Sequence, residues 1–278
     1  MLTVITSDGR VLAVEEFGVP DGVPIVYLHG TPMSRLARHP DDAIFADLGI
    51  RLITYDRPGF GRSSPQPGRN VADAADDVVT IADDLGIGRF AVFGVSGGGP
   101  HALAVAAAYP QRVSRVVTLA SMAPCDADGL EWTAGMTEAN QASAAAARRG
   151  RGELAAHLER ARTAPLPFPE RDLAVLSRPE IGAMVGPAMA EALAPGVGGW
   201  TDDVLALYAF PWGFDPAAVR VPARLWHGEL DELVPAAHSR WLADRMPDAA
   251  LVTDPAASHA GHFDATRAAL TWLVGQAG

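Results

Sequence analysis

The sequence predicts an α/β fold, a mostly parallel sheet flanked by helices and interrupted by a helical insertion. Three observations lead there. Short apolar runs alternate with helical-period stretches across residues 24–119, the rhythm of right-handed βαβ units. That rhythm stops near residue 125, yields to Ala-, Gly-, Pro- and Arg-rich helical sequence as far as about 212, and resumes at 221. One strand-to-helix junction also carries Gly94-Val95-Ser96-Gly97-Gly98, a serine in a bend that small neighbours permit. The expected organisation is a core in two parts, 1–124 and 214–278, with a helical cap at 125–213.

Residues 3–6 and 11–17 flank Asp8-Gly9 and read as an antiparallel hairpin. A compact buried strand over 24–28 follows Asp21-Gly22 and ends at His29-Gly30. A helix is expected near 34–48 and a strand over 50–55. Between 70 and 85, Val71, Ala74, Ala75, Val78, Ile81, Ala82 and Leu85 fall at helical spacing, with Asn70 as N-cap and Gly86 as stop. The serine-bearing strand and helix come next, then a strand over 113–119. Inside the insertion, helices are expected around 131–149, 152–162 and 202–208. Beyond it come a strand over 221–226, a helix over 236–245, a last strand over 250–253 and a closing helix over 265–276.

With 278 residues and 49% hydrophobic content, the chain can bury a sizeable core. A formal charge of −11 argues against nucleic acid or an anionic membrane surface as partner. Cys125 is the lone cysteine, so no intramolecular disulfide forms. The opening residues show no basic segment followed by an apolar one, and no apolar stretch approaches a membrane span. A cytoplasmic protein acting on a small molecule is the expectation, with oligomeric state left open.

A serine hydroxyl becomes a nucleophile when a base takes its proton and a carboxylate orients that base. In the chain order that suits a Ser-bearing elbow, the acid follows the serine and the histidine comes last. Trp226-His227-Gly228-Glu229-Leu230-Asp231-Glu232 sits after a late strand, and Asp231 is the chosen acid, with Glu229 and Glu232 as rivals. Ser258-His259-Ala260-Gly261-His262-Phe263 precedes the closing helix. His262 is the chosen base because Gly261 allows a tight loop and Phe263 can wall the site; His259 is its rival. Two histidines three apart do not make a metal site without further ligands. His101 is expected beside the start of the nucleophile's helix, His227 at a strand end, and His39, His157 and His238 at the surface. The amides of Gly97 and Thr31 are the expected oxyanion donors, since Pro32 has no N–H.

Taken jointly, His29-Gly30-Thr31-Pro32, Tyr55-Asp56-Arg57-Pro58-Gly59-Phe60-Gly61-Arg62-Ser63, Gly94-Val95-Ser96-Gly97-Gly98, His227-Gly228-Glu229-Leu230-Asp231 and Gly261-His262-Phe263 resemble the α/β-hydrolase superfamily. The resemblance covers nearly all the chain outside the insertion. It implies an eight-stranded core, a helical cap, no cofactor, and Ser96, Asp231 and His262 as a catalytic triad. Asp56-Arg57-Pro58-Gly59 resembles a structural turn of that family and is assigned no catalytic role. The serine sets the chain apart from haloalkane dehalogenases and epoxide hydrolases, which place an aspartate at the elbow. Prolyl aminopeptidases of the fold are partly similar, but the cap acids with which they recognise a free amine are not identifiable here.

The leading expectation is an esterase-like serine hydrolase cleaving a carboxylic ester or thioester of a small, largely apolar substrate. Alternatives are C–C bond hydrolysis, perhydrolysis or a lyase step on the same scaffold, and a non-catalytic small-molecule receptor. Trp132, Trp200 and Trp212 are the expected substrate-binding residues, with Phe168, Met184, Met189 and Phe214 as further pocket candidates. For most of these, ordinary core packing is the competing explanation.

Overall fold

In the computed structural model, which describes residues 1–164 and 168–275, eight strands form one sheet. They are β1 (Leu2–Ile5), β2 (Val11–Gly18), β3 (Val23–Leu28), β4 (Ile50–Tyr55), β5 (Phe90–Val95), β6 (Val113–Leu119), β7 (Ala223–Gly228) and β8 (Ala249–Asp254). Their spatial order is β1-β2-β4-β3-β5-β6-β7-β8. The pairs β1–β2 and β2–β4 are antiparallel; every pair from β4 across to β8 is parallel. Asp8-Gly9 closes the β1–β2 hairpin, and Gly9 takes the positive φ (85°) that its turn needs.

Alternation along the parallel strands divides the core between two faces. Val26, Val92 and Val116 point one way and pack with Val78 of α2 (Ala74–Asp84) and Leu103 of α3 (Gly98–Ala108). Ile25, Ala91 and Val117 point the other way, onto Phe45 of α1 (Ala43–Asp47) and Leu270 of α10 (His262–Leu273). Each large aliphatic side chain buried in this way contributes about 1.5–3 kcal/mol. Between β6 and β7 the chain runs through α4 (Glu138–Arg148), α5 (Arg151–Thr163), α6 (Glu170–Leu176), α7 (Pro179–Leu193) and α8 (Gly198–Tyr208). The remaining helix, α9 (Ala237–Ala243), lies between β7 and β8. Among the described residues, no helix is long and apolar enough to cross a membrane.

Several element boundaries differ from the sequence expectation. Of the helix expected near 34–48, α1 alone forms. Pro40 interrupts that stretch, and the Arg35 amide is committed to Asp56 Oδ1 at 2.6 Å. Asn70 does not cap α2; it exchanges hydrogen bonds with Asp73 in the turn before it. In the insertion, α4 starts later than expected, where Thr137 Oγ1 accepts from the Asn140 amide. Helices α6 and α7 were not expected at all. Pro179 starts α7 favourably, but Gly182, Gly186 and Pro187 inside it obscure the helical signal. The closing helix begins at His262, three residues early; Gln276, its expected end, lies outside the described residues.

Candidate active site

Ser96 joins β5 to α3 in the left-handed region, with φ of 52°. That conformation costs a non-glycine residue about 1–2 kcal/mol. The bend is held by Ser96 N donating to the Leu119 carbonyl and Gly99 N donating to the Ser96 carbonyl, each at 2.9 Å. The flanking glycines are required sterically. A Cβ on Gly94 would stand 2.5 Å from the Gly98 carbonyl oxygen, and one on Gly98 would overlap that of Leu28.

Asp231 lies in the loop after β7 and is almost wholly buried. Its Oδ1 accepts the Leu233 and Val234 amides at 2.8 Å each. Its Oδ2 meets His227 Nε2 at 3.1 Å and His259 Nδ1 at 2.7 Å. Burial alone would raise this carboxyl's pKa, but the charge of His259 and the imidazole hydrogen bonds hold it below the usual carboxylate range.

Of the two histidines in the loop before α10, it is His259, not the expected His262, that joins His227 on Asp231. Two backbone hydrogen bonds hold the two loops together. Glu229 N donates to the Asp254 carbonyl at 2.8 Å and Leu230 N to the Ala257 carbonyl at 2.9 Å. They zip the loops after β7 and β8 together, and the short turn His259–Gly261 follows at once. His262 already belongs to α10. Its ring lies 4.1 Å from that of Phe263 and 6.2 Å from that of His259, centroid to centroid, and its buried Nδ1 has no partner among the described residues. Burial pulls the ring pKa of His259 down, but the charge and hydrogen bond of Asp231 outweigh that and leave it above the ordinary 6.5. Burial, aided by the neighbouring charge of His259, lowers His262 to about 3.

Gly97 and Thr31 face one another beside Ser96: a Cβ on Gly97 would overlap Thr31 Oγ1. Neither amide donates to another group among the described residues, and Gly97 sits at the N-terminus of α3, where the helix dipole favours negative charge. His101 Nδ1 donates to the Gly97 carbonyl at 2.7 Å. Burial, with the Arg57 charge nearby, lowers the His101 pKa to about 3 and keeps its ring neutral.

Behind Thr31 lies a fully buried ionic cluster that gave no sequence signal. Asp203, on α8, accepts from Arg57 Nη2 (2.5 Å), Arg57 Nε (3.0 Å) and Arg69 Nη2 (2.7 Å). Its Oδ2 also accepts from the Thr31 hydroxyl. Arg57 Nη2 donates to Thr31 Oγ1 at 2.9 Å, and Arg57 Nη1 bonds the His29 carbonyl. Burial opposes ionisation of Asp203, but the two guanidiniums hold its pKa well below the usual range. Arg57 thus ties the His29-Gly30-Thr31 loop to the helical insertion.

Two cavities meet at Ser96. The larger, of about 170 Å³, is walled by Tyr27, Met33, Phe168, Met184, His259 and Phe263 among others, with His262 also on its wall. The smaller, of about 90 Å³, adds Gly97, Met122, Ser143, Trp200 and Leu207. Thr31, Ser96, Asn140 and Tyr208 line both. Of the expected pocket residues, Phe168, Met184 and Met189 line the larger cavity and Trp200 the smaller. Trp132 and Trp212 line neither. Trp132 donates Nε1 to the Ala123 carbonyl at 2.9 Å and packs edge-on against Tyr208, while Trp212 stacks on Phe214 in the core. His238, expected at the surface, is buried between the Ala123 amide and the Trp132 carbonyl.

The family model of the alpha/beta hydrolase fold matches residues 23–266. A non-heme chloroperoxidase from Streptomyces lividans is 36% identical over 126 residues, 45% of this chain and 46% of that protein. The matched segment thus spans less than half of that curated relative. A thermophilic esterase from Thermogutta terrifontis superposes with a TM-score of 0.71 at 24% identity, covering 98% of this chain and 95% of that one. The enol-lactonase from Burkholderia xenovorans LB400 gives 0.71 at 23% identity, covering 98% of each. At such identity these likenesses speak for the fold, and the family match agrees with the strand order and the serine bend. The chain belongs to the α/β-hydrolase fold family.

Proposed function

We propose that the protein is a serine hydrolase that cleaves carboxylic esters or thioesters of small, largely apolar substrates through an acyl-enzyme, without a cofactor. The observation that carries this reading is the 2.7 Å contact of His259 Nδ1 with Asp231 Oδ2, in an imidazole that shares a cavity wall with Ser96. With Nδ1–H engaged by the carboxylate, Nε2 is the basic nitrogen. Ser96 Oγ attacks the carbonyl carbon as His259 Nε2 takes its proton. The Gly97 and Thr31 amides receive the charge that develops on the carbonyl oxygen. The tetrahedral adduct collapses, and His259 returns the proton to the departing alcohol or thiol. Water, deprotonated by the same nitrogen, then releases the acid and frees Ser96. The helices between β6 and β7 act as a cap that supplies the apolar wall.

A fluorophosphonate probe tests the reading, because it phosphonylates an activated serine irrespective of the substrate. Wild type is expected to label and to hydrolyse p-nitrophenyl esters, with both properties lost in Ser96→Ala. A folded wild type that neither labels nor turns over any ester contradicts it.

A further inference from the structure

We infer, resting on the proposed hydrolase reading, that the two cavities at Ser96 divide the substrate: the smaller holds the acyl chain and the larger holds the alcohol. The preferred substrates are accordingly esters of short-chain acids with ring-sized apolar alcohols.

The carbon of the tetrahedral adduct bears four groups. One is Ser96 Oγ, and a second is the oxyanion, facing the Gly97 and Thr31 amides. A third is the alkoxy oxygen, which must come within about 3 Å of the imidazole nitrogen that protonates it. The fourth is the acyl chain. His259 lines the larger cavity and is not part of the smaller one. The alkoxy group therefore leaves into the larger cavity. The remaining direction from the carbon opens on Trp200, Met122 and Leu207, the wall of the smaller cavity.

Volume sets the sizes. An apolar cavity of about 150 Å³ accepts benzene. The larger cavity, at about 170 Å³, has room for a single ring. Most of its wall, with Tyr27, Met33, Phe168, Met184 and Phe263, is apolar and suits an apolar group, while Asn140 and the buried Asp172 are polar side chains on it besides Ser96, Thr31 and the two histidines. The smaller, at about 90 Å³, takes an acyl chain of about two to four carbons. Trp200 and Leu207 stand on α8, which Asp203 anchors behind the oxyanion loop, so this wall is held rather than free to recede.

Two matched ester series test the division. With benzyl alcohol as the fixed leaving group, acetate, butyrate and octanoate vary the acid; with acetate fixed, ethyl and benzyl esters vary an alcohol of similar basicity. In wild type, kcat/KM is expected to fall at least about tenfold from benzyl acetate to benzyl octanoate, and to rise from ethyl to benzyl acetate. Trp200→Ala should move the acyl optimum to longer chains and leave the ethyl-to-benzyl ratio unchanged. Met184→Ala should alter that ratio and leave the acyl profile unchanged, which keeps the test open if one variant fails to fold. Preference for octanoate in wild type, or a Trp200→Ala variant that changes only the alcohol ratio, overturns the division while leaving the hydrolase reading in place. Absence of turnover on every ester, together with absence of fluorophosphonate labelling, removes both.

Discussion

His259 Nδ1 lies 2.7 Å from Asp231 Oδ2, and that carboxylate also receives His227 Nε2 and the amides of Leu233 and Val234. A carboxylate with so many donors cannot swing away, so it fixes both the orientation and the tautomer of the imidazole. Asp231→Asn keeps the shape and can still accept the two amides through its carbonyl oxygen. It offers no charge to the imidazolium and admits the wrong tautomer. We expect kcat to fall about 10⁴-fold and the thermal midpoint to drop, because a buried carboxylate held below its usual range stabilises the fold, as measured by ester hydrolysis and calorimetry.

The pH profile follows from the same pair. In the proposed mechanism His259 must be neutral to take the serine proton. Its ring is held above the ordinary 6.5 because the Asp231 charge outweighs burial. Activity is therefore low where the ring is protonated and rises with pH through an acid limb centred above 6.5 in kcat/KM. Asp231, held below the usual carboxylate range, contributes no limb of its own near neutrality. In Asp231→Asn the residual activity should show the limb displaced to lower pH, because burial is then opposed only by the smaller influence of the Asp172 charge.

Asp203 is buried against Arg57 and Arg69, and removal of its carboxylate leaves two buried guanidiniums without a counter-charge. Asp203→Ala is expected to lose about 3–5 kcal/mol in urea denaturation. A loss below about 1 kcal/mol would show that water or a shifted side chain readily replaces it.

Gly97 has ordinary helical φ (−57°), so alanine there carries no backbone penalty. Its Cβ would nevertheless overlap Thr31 Oγ1 and press on Leu207 at 3.1 Å. If the Thr31 loop holds the oxyanion as proposed, displacing it by about 1 Å is expected to cost about 100-fold in kcat. Gly97→Ala should show such a loss, and adding Thr31→Ala should recover part of it, a coupling visible in a double-mutant cycle.

Much of the fold was legible because the parallel strands are continuous apolar runs and the helices between them keep their period. Helix α7 was illegible because two glycines and a proline interrupt its pattern, and it forms because its buried face, including Ile181 and Ala188, packs on neighbouring elements. In the site, Ser96 and Asp231 stand out as candidates by position along the chain. The histidine does not: His259 and His262 share one loop, whose placement beside Asp231 rests on the strand-end zipper at Glu229 and Leu230. That zipper is backbone hydrogen bonding, which side-chain identity does not report. Asp203 was equally silent, since an acid on a helix reads as a solvated face until tertiary structure buries it. Trp132 and Trp212 were misplaced for the converse reason, because large aromatics fill cores as readily as they wall pockets.

The most direct test compares the rate of fluorophosphonate labelling in wild type, His259→Ala and His262→Ala. The account predicts near-complete loss of labelling in His259→Ala, by about 10³-fold or more, and retention within about tenfold in His262→Ala. The reverse pattern, with His259→Ala labelling like wild type and His262→Ala inert, would contradict it.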